Sequence, residues 1–206
     1  MRVVAVLVLL VASGGAGGCA SHAGSTLPGS PGLSNLGRVD DGLWRCAQPT
    51  AEGFRSAQAL GVRTVIDLRA SHTDAPLLSG TSLREVNLPM HQASVTEADL
   101  VAFLVVATDP AARPVLVHCA QGRDRTGICV AAYRRVVDGW SLEQARSEMR
   151  AYGAMPWWVN LDRLLRRLDP KRLREGVNAA RSGRRIDVPC APRTPSVSPP
   201  ASASSS

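Results

Sequence analysis

The run His118-Cys119-Ala120-Gln121-Gly122-Arg123-Asp124-Arg125-Thr126-Gly127 gathers residue types that can hold and attack a phosphoryl group. A thiol is a nucleophile only as its thiolate, and a helix N-terminus with a nearby guanidinium lowers a cysteine pKa to roughly 3.5–7.5. Backbone N–H groups in a short loop at a helix N-terminus form an anion cradle. Cys119 is therefore the expected nucleophile, attacking phosphorus to form a phosphocysteine that water then releases. The N–H groups of Ala120, Gln121, Gly122 and Arg123 are expected to bind phosphate oxygens. Arg125 adds a planar pair of donors that stays charged. The Thr126 hydroxyl is placed to bond the sulfur, and His118 to support the loop. Gly122 permits a turn that a Cβ would resist.

Such a loop needs a strand to deliver the cysteine and a helix to supply the N–H groups. Val115-Leu116-Val117 reads as a buried strand, and Ile128 to Tyr133 continues from the loop without a breaker. Upstream, Leu43 to Cys46 is a short strand. Thr50 can cap a helix over Ala51 to Leu60, which Gly61 ends. Val62 to Leu68 is a β-branched central strand, and Leu83 to Met90 another, broken by Pro89. Thr96 to Asp99 and Ser141 to Gln144 are capping boxes that open two further helices. A last amphipathic helix is expected over 157–168, whereas 170–189 is basic and weakly patterned. Strands alternating with helices imply an α/β fold: a mainly parallel central sheet flanked by helices, with the loop at the carboxyl end of a strand.

The string His-Cys-x5-Arg-Thr-Gly after a Val-rich strand resembles the cysteine-based protein tyrosine and dual-specificity phosphatases. Leu43-Trp44-Arg45-Cys46-Ala47-Gln48-Pro49 and Gly61 to Arg69 extend the likeness to bacterial members, over roughly residues 36–168. The resemblance implies a phosphatase fold and metal-free hydrolysis without a cofactor, acting on a phosphorylated protein. Gly-Arg-Asp-Arg-Thr-Gly also resembles the loop of a branch that includes lipid-acting phosphatases, with Arg123 in place of the usual Lys. That makes a phosphoinositide or inositol phosphate the alternative substrate. Many members take their general acid from an Asp on a mobile loop upstream of the cysteine. Here Asn87 to His91 contains none. Asp99 reads as a helix cap, so Asp124 within the loop is nominated as the acid, with His91 as the outside choice. Asp67 and Arg69 read as a structural salt bridge.

The chain has 206 residues, 45% hydrophobic and 20% charged, enough for one domain with its own core. Its net charge of +7 suits anionic partners, but no nucleic-acid motif or aromatic-interleaved basic patch is present. Arg2, the apolar run Val3 to Ala12 and the small residues before Cys19 resemble a bacterial lipoprotein signal. The expected organisation is a signal peptide over 1–19, a flexible tether over 20–37 and a phosphatase domain over 38–170. A basic segment over 171–190 and a disordered tail over 191–206 follow. Cys19 would carry lipid and hold the domain at the outer side of a membrane, with plain secretion as the alternative. Cys129 reads as buried and inert. Cys46 and Cys190 could pair in an oxidising compartment. No CxxC or Cys/His spacing suggests a metal site. Two other classes compete: a degenerate phosphatase fold that only binds phosphorylated ligands, and a rhodanese-like sulfurtransferase. The intact Cys119, Arg125 and Thr126 disfavour both.

Overall fold

Alternation along the strands sorts the apolar side chains onto the two faces of one sheet. The structure, a computed structural model, describes residues 30–183. The strands are β1 (Gly37–Asp40), β2 (Leu43–Cys46), β3 (Thr64–Arg69), β4 (Arg84–Met90) and β5 (Val115–His118). They lie in the order β1-β2-β5-β3-β4, parallel except for the β1–β2 pair. The helices are α1 (Ala51–Ala59), α2 (Glu97–Ala107), α3 (Asp124–Val136), α4 (Leu142–Ala151), α5 (Val159–Arg167) and α6 (Pro170–Arg181).

Trp44, Cys46, Val65 and Leu116 face a small core closed by Phe54 and Ala57 of α1. Leu43, Ile66, Leu68, Val115 and Val117 face the larger core, built with α2 to α6. β5 is buried along its whole length and paired on both sides. The reaction loop therefore starts from the middle of the sheet. Among the described helices none is long and apolar enough to cross a membrane.

The local signals work as their chemistry requires. Thr50 accepts from the Gly53 N–H, and Gly61 ends the helix region at φ +86°. Both capping boxes form, so Asp99 is engaged by the Thr96 N–H and hydroxyl at 2.8 Å each. Pro89 sits on the edge strand β4, where a missing N–H is tolerated.

Two boundaries differ from the expectation. The tether was expected to reach residue 37, yet Leu33 and Leu36 are only 7% and 1% exposed, and β1 begins at Gly37. Two apolar residues in a Ser/Gly/Pro-rich stretch were enough to join the smaller core. At the other end, residues 170–181, read from the sequence only as basic and weakly patterned, form α6. Asp169 caps it, Pro170 occupies its first turn, and Leu173 and Val177 enter the larger core. The pattern was faint because only one narrow stripe is apolar. Cys19, Cys190 and the tail over 191–206 lie outside the described residues.

Candidate active site

β5 ends at His118, and the chain then turns through Cys119 to Arg123 into α3. No side chain caps α3. Its first N–H groups are thus left to the loop and to whatever anion the loop holds. Gly122 is buried at φ +66°, and a Cβ there would lie 2.5 Å from the Cys46 carbonyl oxygen. Only glycine fits both constraints.

Cys119 is 3% exposed. Burial opposes its ionisation. The Thr126 hydroxyl, the N–H groups of Thr126 and Gln121, and the Arg125 charge outweigh that cost and hold the thiol below its ordinary range. The Thr126 hydroxyl is buried with no competing partner among the described residues, and its proximity favours the ionised sulfur. Cys46 and Cys129 show the contrast: both are buried, and burial pushes both thiols up.

Arg125 is braced by the carbonyls of Leu68 and Met90, each 3.3 Å from Nη1. These lie at the carboxyl ends of β3 and β4, so two neighbouring strands set the guanidinium. Its Nε is buried and has no acceptor among the described residues. Arg123 is half-buried and forms no ion pair among the described residues, while Ala120 and Gln121 are exposed at the loop's rim.

His118 lies on the α1 face, edge-on to Phe54 at 6.2 Å between centroids. Its Nε2 is 2.7 Å from Asp74 Oδ2. Asp74 also accepts from Gln48 at 2.8 Å and from Arg69 at 2.7 Å. Burial opposes its charge, but these partners hold the Asp74 carboxyl below its usual range. Arg69 in turn is bound two-pronged by Asp67, at 2.9 and 2.8 Å. The expected Asp67–Arg69 salt bridge is present and reaches the loop through Asp74 and His118. Asp67, Asp74 and His118 converge as a metal site would. The cation between the two carboxylates is the Arg69 guanidinium.

Asp124 does not pair with Arg123. It is 3% exposed, and its two oxygens accept from the Met155 N–H at 2.8 Å and from Gln92 at 3.2 Å. It borders a cleft of about 340 Å³ lined also by Arg146, Met149, Met155, Trp158 and Asp162, but not by Cys119 or Arg125. This geometry makes Asp124 an anchor for the segment between α4 and α5 and gives no support to its nomination as proton donor. Trp158 lines the cleft and Trp157 is 66% exposed. His91 is exposed and directly follows Met90, whose carbonyl braces Arg125.

Four site residues carried too weak a sequence signal to be singled out: Asn35, Arg45, Gln48 and Asp74. Arg45 and Gln48 lie within the string that carried the likeness, Asp74 in a stretch read as loop, and Asn35 in the supposed tether.

A strand-delivered cysteine in a loop of N–H groups at a helix N-terminus, with an arginine braced over it, defines a cysteine-dependent phosphate-binding site on an α/β sheet. A family model described as "DSP-PTPase phosphatase fused to NAD+ Kinase" matches residues 34–158, more than half of the chain. The chain belongs to this dual-specificity and protein tyrosine phosphatase family. The dual specificity protein phosphatase TpbA of Pseudomonas aeruginosa is 36% identical over 120 residues, covering 58% of this chain and 55% of TpbA. The match thus spans about half the length of that curated relative. The crystal structure of P. aeruginosa TpbA superimposes with a TM-score of 0.63 at 31% identity, covering 72% of this chain and 98% of that one. Inositol diphosphatase DSP3 of Arabidopsis thaliana is 27% identical over 137 residues, covering 60% of this chain and 64% of that protein.

Proposed function

We propose that this chain is a phosphomonoester hydrolase of the protein tyrosine and dual-specificity type. The carrying observation is the Cys119 thiol, held below its ordinary range by Thr126, two loop N–H groups and Arg125 despite burial. In the first step the Cys119 sulfur attacks phosphorus and the bond to the leaving oxygen breaks. The loop N–H groups and Arg125 hold the three phosphoryl oxygens as charge develops. In the second step water attacks the phosphocysteine, the P–S bond breaks, and inorganic phosphate leaves. His91, exposed and next to Met90, takes the role of donor to the leaving oxygen in this reading, because both oxygens of Asp124 already accept hydrogen bonds.

Phosphotyrosine protein is the preferred substrate class in this reading. It is supported by the crystal structure of a TpbA variant in complex with phosphotyrosine, at 30% identity and TM-score 0.63. An inositol phosphate is the second reading. Arg123, beside the loop and without an ion-pair partner among the described residues, favours it, as does the inositol diphosphatase relative. Export with a lipid on Cys19 belongs to the same proposal and rests on the sequence Arg2 to Cys19 alone.

The test is p-nitrophenyl phosphate turnover in EDTA by wild type and Cys119→Ser. Turnover by the wild type and none by the variant is expected. Turnover that survives Cys119→Ser excludes the mechanism, and an inert wild type between pH 5 and about 8, around the window in which such thiolates form, leaves a binding module. Phosphotyrosine peptides assayed beside inositol phosphates then separate the two substrate classes.

A further inference from the structure

The carbonyls of the phosphate loop are held from outside. Ala120 O accepts from the Gln48 N–H at 3.2 Å and Gln121 O from Asn35 Nδ2 at 3.1 Å. Gly122 O accepts from Arg45 Nη2 at 2.7 Å and from Asn35 Nδ2 at 3.2 Å. In a planar trans peptide the N–H points away from the preceding carbonyl. Three outward carbonyls therefore turn the N–H groups of Gln121, Gly122 and Arg123 inward, towards Cys119 and the phosphate. The Gln121 N–H reaches the sulfur itself.

All three anchors come from residues outside the loop and outside its strand. Arg45, on β2, is the largest fully buried side chain in the described structure. Its guanidinium lies over the Tyr152 ring, 3.6 Å from the centroid, and its Nε and Nη1 have no acceptor among the described residues. It has no ion pair among the described residues. Glu148, the carboxylate with the most influence on it, is committed to Arg134 through bonds of 2.8, 3.2 and 3.2 Å. A buried charge without an ion-pair partner costs stability, so stability does not account for Arg45.

We propose that Asn35 and Arg45 are positioning residues for the phosphate loop, and that Arg45, bonded to the loop at the Gly122 carbonyl, is also a buried cation that favours the Cys119 thiolate. This rests on the phosphatase reading of the same site. The two cations act from different elements: Arg125 from α3, half-buried at the loop, and Arg45 from β2, fully buried. Burial pulls Arg45 down to about 10, so it remains charged at neutral pH. Attraction is mutual, and the Cys119 thiolate is among the groups that favour a charged Arg45. The other titratable groups facing the pair are Cys46 on β2, Cys129 on α3, Glu148 on α4 and Tyr152 just after it, and the His118–Asp74 pair. Both other cysteines are pushed up and neutral, Tyr152 is raised, and Glu148 and Asp74 are paired.

The experiment follows the pH dependence of Cys119 alkylation by iodoacetamide, read by mass spectrometry, in wild type, Arg45→Met, Arg45→Lys and Asn35→Ala. Arg45→Met is expected to fold, with its thermal melt as the check, and to move the alkylation midpoint up by about one pH unit. Arg45→Lys should restore the midpoint. Asn35→Ala removes no charge, so it should keep the midpoint but raise KM for p-nitrophenyl phosphate roughly tenfold by loosening the loop. An unchanged midpoint in folded Arg45→Met overturns the electrostatic role. A KM within about twofold of wild type in Asn35→Ala overturns the positioning role, and that variant carries the test if Arg45→Met does not fold. If the wild type turns over no phosphate ester, the phosphatase reading fails, while the alkylation midpoints still report on Arg45.

Discussion

Burial alone would make Cys119 a poor nucleophile, and its neighbours reverse that. The thiolate is the reacting form, so the alkylation rate rises with pH through the Cys119 pKa. That pKa lies below the ordinary 9.0, so half-maximal modification is expected below pH 9.0, with Cys46 and Cys129 silent. A midpoint at or above 9.0 contradicts the site. The same shift bears on stability. A depressed pKa contributes stability that is fully present above the unfolded value and is lost as pH falls through the folded one. The leaving-group proton gives a second residue-scale prediction. Asp124→Asn can still accept from the Met155 N–H, so turnover within a few-fold of wild type is expected. His91→Gln should lower kcat on alkyl phosphates by roughly 10²-fold or more and much less on p-nitrophenyl phosphate, whose leaving group needs no proton. The opposite ranking restores Asp124 as the acid. Cys119, Arg125 and Thr126 were legible because their spacing is fixed within one loop. Asp74, Asn35 and Arg45 were not, because each reaches the loop across the fold: 44 residues separate Asp74 from His118, and 77 separate Arg45 from Gly122.

Among the elements, β2 does more than fill the sheet. It pairs in parallel with β5 and ends in register with it, Cys46 opposite His118. The loop after β5 is consequently pressed against the end of β2, and that contact selects glycine at 122. Gly122→Ala would set a Cβ 2.5 Å from the Cys46 oxygen in a left-handed conformation. Backbone strain of this kind costs on the order of 1–3 kcal/mol, so a lower melting temperature and loss of most turnover are expected. Wild-type turnover in Gly122→Ala would mean that the loop is not held as described. The strands and most helices were readable from caps and periodicity. β1 and α6 were not, since Gly37 to Asp40 has a single buried apolar position besides its glycine, and α6 turns only Leu173, Gly176 and Val177 inward.

At the scale of the whole molecule, the active loop draws on the start of the domain. Leu33 and Leu36 belong to the smaller core, on the face that carries Phe54 and, against it, His118. Asn35 stands between them at φ 51° and binds Gln121, Gly122 and Tyr152 carbonyls. The stretch expected to be a tether is thus a brace that fastens the sheet, the loop and the end of α4 together. A chain beginning at Ser30 should keep both the melting temperature and the turnover of the full chain. One beginning at Arg38 gives up two buried leucines, each worth about 1.5–3 kcal/mol, along with the Asn35 bonds. In a domain this small such a loss lowers the melting temperature by roughly 10 °C or more, and turnover should fall further than the melt alone explains. Supplying Leu33 and Leu36 while keeping Asn35→Ala separates the two contributions, because it restores the core and leaves the loop unbraced. Equal melts and equal turnover for the chains beginning at Ser30 and Arg38 would return residues 30–37 to the role of a tether.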